Sequence, residues 1–307
     1  MNGYMTIIAG SDIDSFYEVE SFLEEGDAGM AVPKGERVGG CVLNTGIDAA
    51  GLGMKVRVLD YLKKEDAGTD LLVDTMKRYG LDTSAIRYGD DVDNGRCLIM
   101  TKGNEKCIYV IPQRHPFFDE EEKDIQELLE GSTLIYSLVH LMRECFREPV
   151  KLIKDLKEKG VKFAFDGSSQ YQDESEVEEL ALADHIFLNR QAYGRIEEIL
   201  KTEPARWFLE RGVRTLCVTD GSRGSDCFTK EGLVHMDAVK IGHVVDSTGA
   251  GDAFAAAFLT AFYNGLSEEE CLKRATHMGA RKCLYEGGFG GVCSQEELED
   301  FIKERER

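Results

Sequence analysis

Asp252 follows directly on a Gly-Ala-Gly turn, inside the stretch Val245-Asp246-Ser247-Thr248-Gly249-Ala250-Gly251-Asp252-Ala253-Phe254. The segment ends an extended run, turns through the glycines and opens a helix. Such a turn leaves backbone N–H groups aimed outward, and the positive end of the helix dipole strengthens their pull on an anion. A carboxylate beside an anion cradle is a poor choice for anion binding alone, because like charges repel. It makes chemical sense as a base, taking a proton from a hydroxyl while the cradle holds the phosphoryl group under attack. Phe254, Phe258, Ala261 and Phe262 recur at helical spacing and Gly265 is a good stop, so the turn does lead a helix.

Two further stretches carry groups suited to a polyol. Met5 to Gly10 reads as a buried strand that ends in Ser11-Asp12-Ile13-Asp14, two acids at a strand end. In open α/β sheets such ends are where ligands bind, and a carboxylate accepts two hydroxyl hydrogen bonds. Gly39-Gly40-Cys41-Val42-Leu43-Asn44 places two glycines, which allow close backbone approach, ahead of an Asn at the start of a helix.

The elements that must position these groups follow a rhythm of strand and helix. Lys55 to Leu62 reads as a strand, 70–79 as a helix, Ser132 to Val139 as a strand and 148–159 as a helix. Strands over 161–166, 184–188 and 213–219 alternate with a helix over 203–211. This argues for a mostly parallel sheet covered on both faces, an α/β fold. Gly95 to Ile111 reads as a hairpin around Lys102-Gly103-Asn104-Glu105. Cys97, Ile99 and Thr101 share one face of it and Leu98 and Met100 the other, so both faces are expected to be covered. Ser267-Glu268-Glu269-Glu270 has the form of a capping box.

Composition narrows the function classes. The 307 residues are 42% hydrophobic and 31% charged, with a net charge of −20. So acidic a chain disfavours nucleic acid and anionic membranes as partners, and an anionic substrate such as ATP needs local donors. The nine cysteines show no Cys-x-x-Cys spacing, and the six histidines no ligand spacing. Reduced thiols, no secretory leader and a cytoplasmic location are the expectation. The longest apolar run, Ala253 to Tyr263, is too short to span a bilayer.

Asp-Ser-Thr-Gly-Ala-Gly-Asp-Ala-Phe resembles the C-terminal signature of the ribokinase, or PfkB, family of carbohydrate kinases. Gly-Gly-x-x-x-Asn, followed by Ala49-Ala50-Gly51-Leu52-Gly53, resembles that family's N-terminal sugar-binding segment. The resemblance covers nearly the whole chain. It implies one domain over 1–307, a ribokinase-like three-layer sandwich with a mostly parallel central sheet, and a small β-sheet lid from roughly 14–40 and 95–112. It further implies ATP-dependent phosphorylation of a sugar hydroxyl, with Asp252 as base and the amides of Gly249, Ala250 and Gly251 around the γ-phosphate. Asp14, or Asp12 in second place, would grip sugar hydroxyls with Gly39, Gly40 and Asn44. Asn189, Thr219, Gly221, Gly224, Gly287 and Gly288 would contact the nucleotide. Mg2+ would bridge the phosphates, Asp246 would help to bind a monovalent cation such as K+, and the lid would support a homodimer.

The chain departs from the family in three places. Val42 and Leu43 replace small residues between the glycines and Asn44. Asp166-Gly167-Ser168-Ser169-Gln170 stands where Asp-Pro-Asn-x-Arg is usual. Asn189-Arg190-Gln191-Ala192 stands for Asn-x-x-Glu, so Ala192 replaces an acid that organises magnesium. Two other readings therefore stay open: a nucleoside-type kinase on the same scaffold, and a ligand sensor that has lost catalysis.

Overall fold

The computed structural model describes residues 3–103, 105–120, 125, 127–167 and 171–306. Ser168, Ser169 and Gln170 of the departed motif lie outside them, as does Asn104 of the hairpin turn.

Eight strands form the large sheet: β1 (Tyr4–Ile8), β4 (Val56–Leu59), β9 (Ser132–Leu138), β10 (Lys162–Gly167), β11 (His185–Asn189), β12 (Thr215–Thr219), β13 (Ser225–Thr229) and β14 (Gly232–Met236). Their order is β14-β13-β12-β11-β10-β9-β1-β4. From β12 to β4 all neighbours are parallel, and β13 and β14 add an antiparallel edge. The parallel strands are buried on both faces, which explains their continuous apolar sequences. Helices cover the two faces, with Phe163, Phe165, Ile186 and Phe208 in one core and Ile7, Phe187, Phe254 and Phe258 in the other. The mostly parallel α/β sandwich expected from the alternation is thus present.

A second sheet of four strands runs in the order β3-β2-β7-β8. Its strands are β2 (Asp12–Val19), β3 (Ala31–Gly39), β7 (Gly95–Lys102) and β8 (Glu105–Ile111). Asp14 therefore lies on a strand of the small sheet, where the lid was expected to begin, and Asp12 opens the same strand two residues earlier. They are two residues apart, so their side chains share a face.

Three expectations are corrected. The strand expected over 55–62 breaks at Asp60, whose buried carboxylate accepts hydrogen bonds from the Tyr61 N–H (2.7 Å) and Gln113 Nε2 (3.0 Å). The chain then leaves the large sheet and pairs β5 (Tyr61–Lys63) with β6 (Arg87–Gly89). The next helix begins earlier than expected, at Ala67–Arg78, because Asp66 caps it by accepting from the Gly68 and Thr69 N–H groups. Ser267 caps the helix Glu268–Lys282 alone, since Glu270 pairs with Arg274 instead of reaching back. The box is found at Ser294 and Glu297, opening the helix Gln295–Arg305.

Candidate active site

A cavity of about 1200 Å³ lies between the small sheet and the mouth of the helix Ala250–Tyr263. Asp12 and Asp14 line it from the sheet, Gly40 and Asn44 from the start of the helix Cys41–Gly51, and Asp246 and Asp252 from the cradle loop and its helix. Gly287 and Gly288 line it from the 286–292 loop. Residues more than 200 positions apart are thus gathered around one space.

The helix mouth is shaped by Gly249, whose φ of 78° is left-handed. A Cβ there would collide with the Gly288 carbonyl, so the two loops touch through bare backbone. The Ala250 N–H closes a turn onto the Ser247 carbonyl (3.2 Å), which corrects the expectation that all three cradle amides are free. Among the described residues, the amides of Gly249, Gly251 and Asp252 have no hydrogen-bond partner and form the open cradle. Asp246 braces the loop. It accepts from the Thr248 N–H (3.0 Å), Thr248 Oγ1 (2.7 Å) and the Gly287 N–H (3.0 Å).

Asn44 Nδ2 donates to Asp252 Oδ2 across 2.8 Å, while Asn44 Oδ1 is buried with no partner among the described residues. Burial, then the charge of Asp166, pushes the Asp252 carboxyl up to about 8, against the opposing pull of the Asn44 amide. Asp166 is itself pushed up to about 6 by burial, although Tyr136 donates to it. A carboxyl so perturbed, opening on a cavity, is poised to exchange a proton near neutral pH.

At the other end, burial followed by the neighbouring charges of Asp14, Asp60 and Glu144 pushes Asp12 to about 7. Asp14 is raised mainly by burial, with Cys97 and Lys106 opposing. It packs against Gly39, where a Cβ would overlap the carboxylate. Gly39 therefore acts from behind Asp14, while Gly40 (φ 99°) sits on the cavity wall. The sheet also contributes an apolar wall of Phe16, Ile99, Ile108 and Val110, and the expected face of Cys97, Ile99 and Thr101 is the cavity face.

The other nucleotide candidates stand apart from this lining. Asn189 and Thr219 are register partners at the ends of β11 and β12. Asn189 Oδ1 accepts from the Ala192 N–H at 2.7 Å, capping the helix Arg190–Leu200, and Ala192 is fully buried. Gly221 and Gly224 follow, both at positive φ. Arg223, beside them, pairs with Asp220 (2.6 Å), as does Arg190 (3.1 Å). His115 stacks on Tyr61 at a centroid distance of 6.0 Å and does not line the cavity.

Some residues were beyond sequence reading. Lys282 Nζ lies 2.9 Å from Asp48 Oδ1 in a wholly buried ion pair that ties the helices Cys41–Gly51 and Glu268–Lys282 behind Asp252. Arg37 of the small sheet pairs with Glu286 at 2.9 Å, and Lys106 Nζ donates to Thr248 Oγ1 at 2.9 Å. The one sequence signal was Asp48 itself, an acid one helical turn after Asn44 and on the same face.

Residues 10–291 match the profile of the pfkB family carbohydrate kinases. The chain belongs to that family. A nucleoside kinase of Methanocaldococcus jannaschii is 25% identical over 276 residues, covering 87% of this chain and 86% of the relative. A 5-dehydro-2-deoxygluconokinase of Clostridium beijerinckii is 22% identical over 286 residues, with 87% and 84% covered. Among solved structures, the Arabidopsis thaliana ribokinase complexed with ribose and ATP superposes with a TM-score of 0.82 at 21% identity, covering 99% of each chain. The ribokinase-like architecture with its separate small sheet is therefore the family fold, and pfkB family members are phosphotransferases with an alcohol acceptor.

Proposed function

We propose that this chain uses ATP to phosphorylate a hydroxyl of a sugar or sugar-like substrate. One observation carries the reading: Asp252 stands at the mouth of an open amide cradle and faces, across one cavity, a pair of carboxyl groups suited to a polyol. The acceptor hydroxyl would lose its proton to Asp252 as its oxygen attacks the γ-phosphorus. The bond from that phosphorus to the bridging oxygen breaks, and ADP leaves. The amides of Gly249 and Gly251, joined by that of Asp252, offset the charge that develops. Ala250 shapes the turn.

Asp12 and Asp14 hold the acceptor with Asn44, and Gly39 and Gly40 give them room. Asp12, raised to about 7, suits a polyol, because a neutral carboxyl donates and a carboxylate accepts. Gly287 and Gly288 belong to the phosphoryl end of the nucleotide site, and Asn189, Thr219, Gly221 and Gly224 to the rest of it.

Magnesium lacks a ready-made cage. No group of three or more His, Cys, Asp or Glu side chains is placed to hold a metal among the described residues, and Ala192 supplies no oxygen. The ion would travel with the ATP phosphates, keeping most of its waters. Three of the roughly four lone-pair positions of Asp246 are occupied by hydrogen bonds, so it offers about one ligand to a monovalent cation such as K+.

The apolar wall of Phe16, Ile99, Ile108 and Val110 favours a second acceptor, a nucleoside, whose base would lie on the wall while its ribose meets the acids. Tyr109 and Ile111 project apolar surface from the same strand and are exposed. This supports a homodimer through the small sheet, and a monomeric sedimentation profile would contradict it. No helix among the described residues is long and apolar enough to cross a membrane, in keeping with work in the cytoplasm.

A panel of sugars and nucleosides, scored for ATP consumption, tests the function. Turnover with one of them is expected. Ligands that raise the melting temperature while none consumes ATP would replace the kinase by a sensor, the reading that Ala192 invites.

A further inference from the structure

Three cations line the cavity: Lys34, Arg37 and Lys106. Lys34 is paired with Glu18, and Arg37 with Glu286. Lys106 has no carboxylate partner among the described residues. Its ammonium group instead donates to the hydroxyl of Thr248, the residue immediately before Gly249, across 2.9 Å. That hydroxyl passes the contact on to Asp246, 2.7 Å away. A lysine at the second position of β8 thus stands outside any ion pair among the described residues, one residue from the open amides.

The surroundings make such a charge useful. The chain carries a net charge of −20, and Asp12, Asp14 and Asp252 line the same cavity. A nucleotide entering it meets like charge, and in the transition state negative charge is spread over the γ-phosphoryl oxygens while it builds up on the leaving ADP oxygen. Amides carry only partial charges, whereas an ammonium group brings a full one into a site partly shielded from water. Lys106 is also felt at both ends of the cleft, since its charge favours ionisation of Asp14 and of Asp246.

We infer that Lys106 is a catalytic residue supplied by the small sheet: its ammonium group leaves Thr248 to contact the γ-phosphoryl group and offsets the negative charge carried through the transition state. This rests on the kinase reading above. The bonds change as in that reading. The acceptor oxygen joins phosphorus, its proton goes to Asp252, and the electron pair of the broken bond leaves on the ADP oxygen. Lys106 keeps all its protons throughout. Because it comes from the small sheet, it joins the reaction only while that sheet sits over the cradle, which couples acceptor enclosure to phosphoryl transfer.

The test uses the full chain with Lys106→Met, Lys106→Gln and Lys106→Arg. Gln keeps a donor for Thr248 but not the charge, and so separates holding the sheet in place from stabilising the phosphoryl group. With an acceptor active in the panel, Met and Gln are each expected to lower kcat about 100-fold, with KM for the acceptor within about threefold of wild type. Arg is expected to recover kcat to within about tenfold. In parallel, magnesium-ADP with aluminium fluoride should bind the Met variant at least about tenfold more weakly than wild type, while magnesium-ADP alone binds both equally. A kcat for Met and Gln within threefold of wild type would remove Lys106 from catalysis and leave the kinase standing. If no acceptor is turned over, the kinase reading fails, and the fluoroaluminate complex decides on Lys106 alone: equal affinity of wild type and Met overturns it.

Discussion

The carboxyl-lined cavity and the strand ends that carry Asn189, Thr219 and Gly221 treat polar groups in opposite ways. Around the cavity, burial raises Asp12 to about 7 and Asp252 to about 8, and Asn44 Oδ1 has no partner among the described residues. At the strand ends, Arg190 lies 3.1 Å from Asp220 and 2.7 Å from Asp226, and Arg223 closes on Asp220. Those arginines hold Asp220 below the usual carboxylate range. Perturbed and unpartnered groups are costly to keep, so where they cluster around a cavity they mark chemistry. Satisfied groups of the same types, a short distance along the sheet, do structural work. Residue type alone does not separate the two.

The largest effect should follow removal of the base. Asp252→Asn is expected to lower kcat by at least about 10³-fold with acceptor affinity nearly unchanged, because the proton then has no acceptor. The same change should raise stability. Asp252 is raised above its unfolded value, so its contribution is fully present below the unfolded carboxylate pKa and is lost as pH rises through about 8. After discounting for its opening onto solvent, the gain from Asn at neutral pH is about 2 kcal/mol. A variant that is inactive but less stable than wild type by thermal melting would mean that Asp252 supports the fold.

Next in size is the acceptor grip. Asp14→Asn removes a charge-assisted hydrogen bond and should raise KM for the acceptor about tenfold or more while kcat changes far less. An equal fall in kcat with KM unmoved would shift Asp14 from holding substrate to the chemical step. The pH profile then sharpens the contrast between the two regions. The base must be ionised, so kcat/KM should fall about tenfold per unit as pH drops below about 8. A flat profile between pH 6 and 8 would show that Asp252 is already ionised in the free enzyme.

How much of this was legible in sequence depends on chain separation. The cradle, its helix and Asp252 are encoded within ten residues, so their geometry follows from local turn chemistry. The α/β alternation was legible for the same reason. Asp12 and Asp14 were visible as acids after a strand, and the lid was expected from about residue 14; that Asp12 already belongs to it was not legible, because nothing local marks where the small sheet begins. Arg37 with Glu286, Asp48 with Lys282 and Lys106 with Thr248 join residues 249, 234 and 142 positions apart. Only the fold brings such pairs together. The Ala250 amide fell the other way: the turn was read correctly, but its tightness turns that N–H inward onto Ser247.

The smallest expected effect tests whether the satisfied region is wholly structural. Asn189 Oδ1 caps the helix Arg190–Leu200, yet its Nδ2 has no hydrogen bond among the described residues and the side chain is exposed. One half of the amide thus serves the fold, and the other is free to donate to a nucleotide. Asn189→Ala should cost about 1 kcal/mol through the lost cap and also raise KM for ATP. Asn189→Asp keeps an acceptor for the Ala192 N–H but replaces the donor with negative charge. It should melt like wild type while KM for ATP rises several-fold. If the Asp variant keeps both its melting temperature and its KM, Asn189 is a cap and nothing more, and the division between the cavity and the strand ends is complete at that residue.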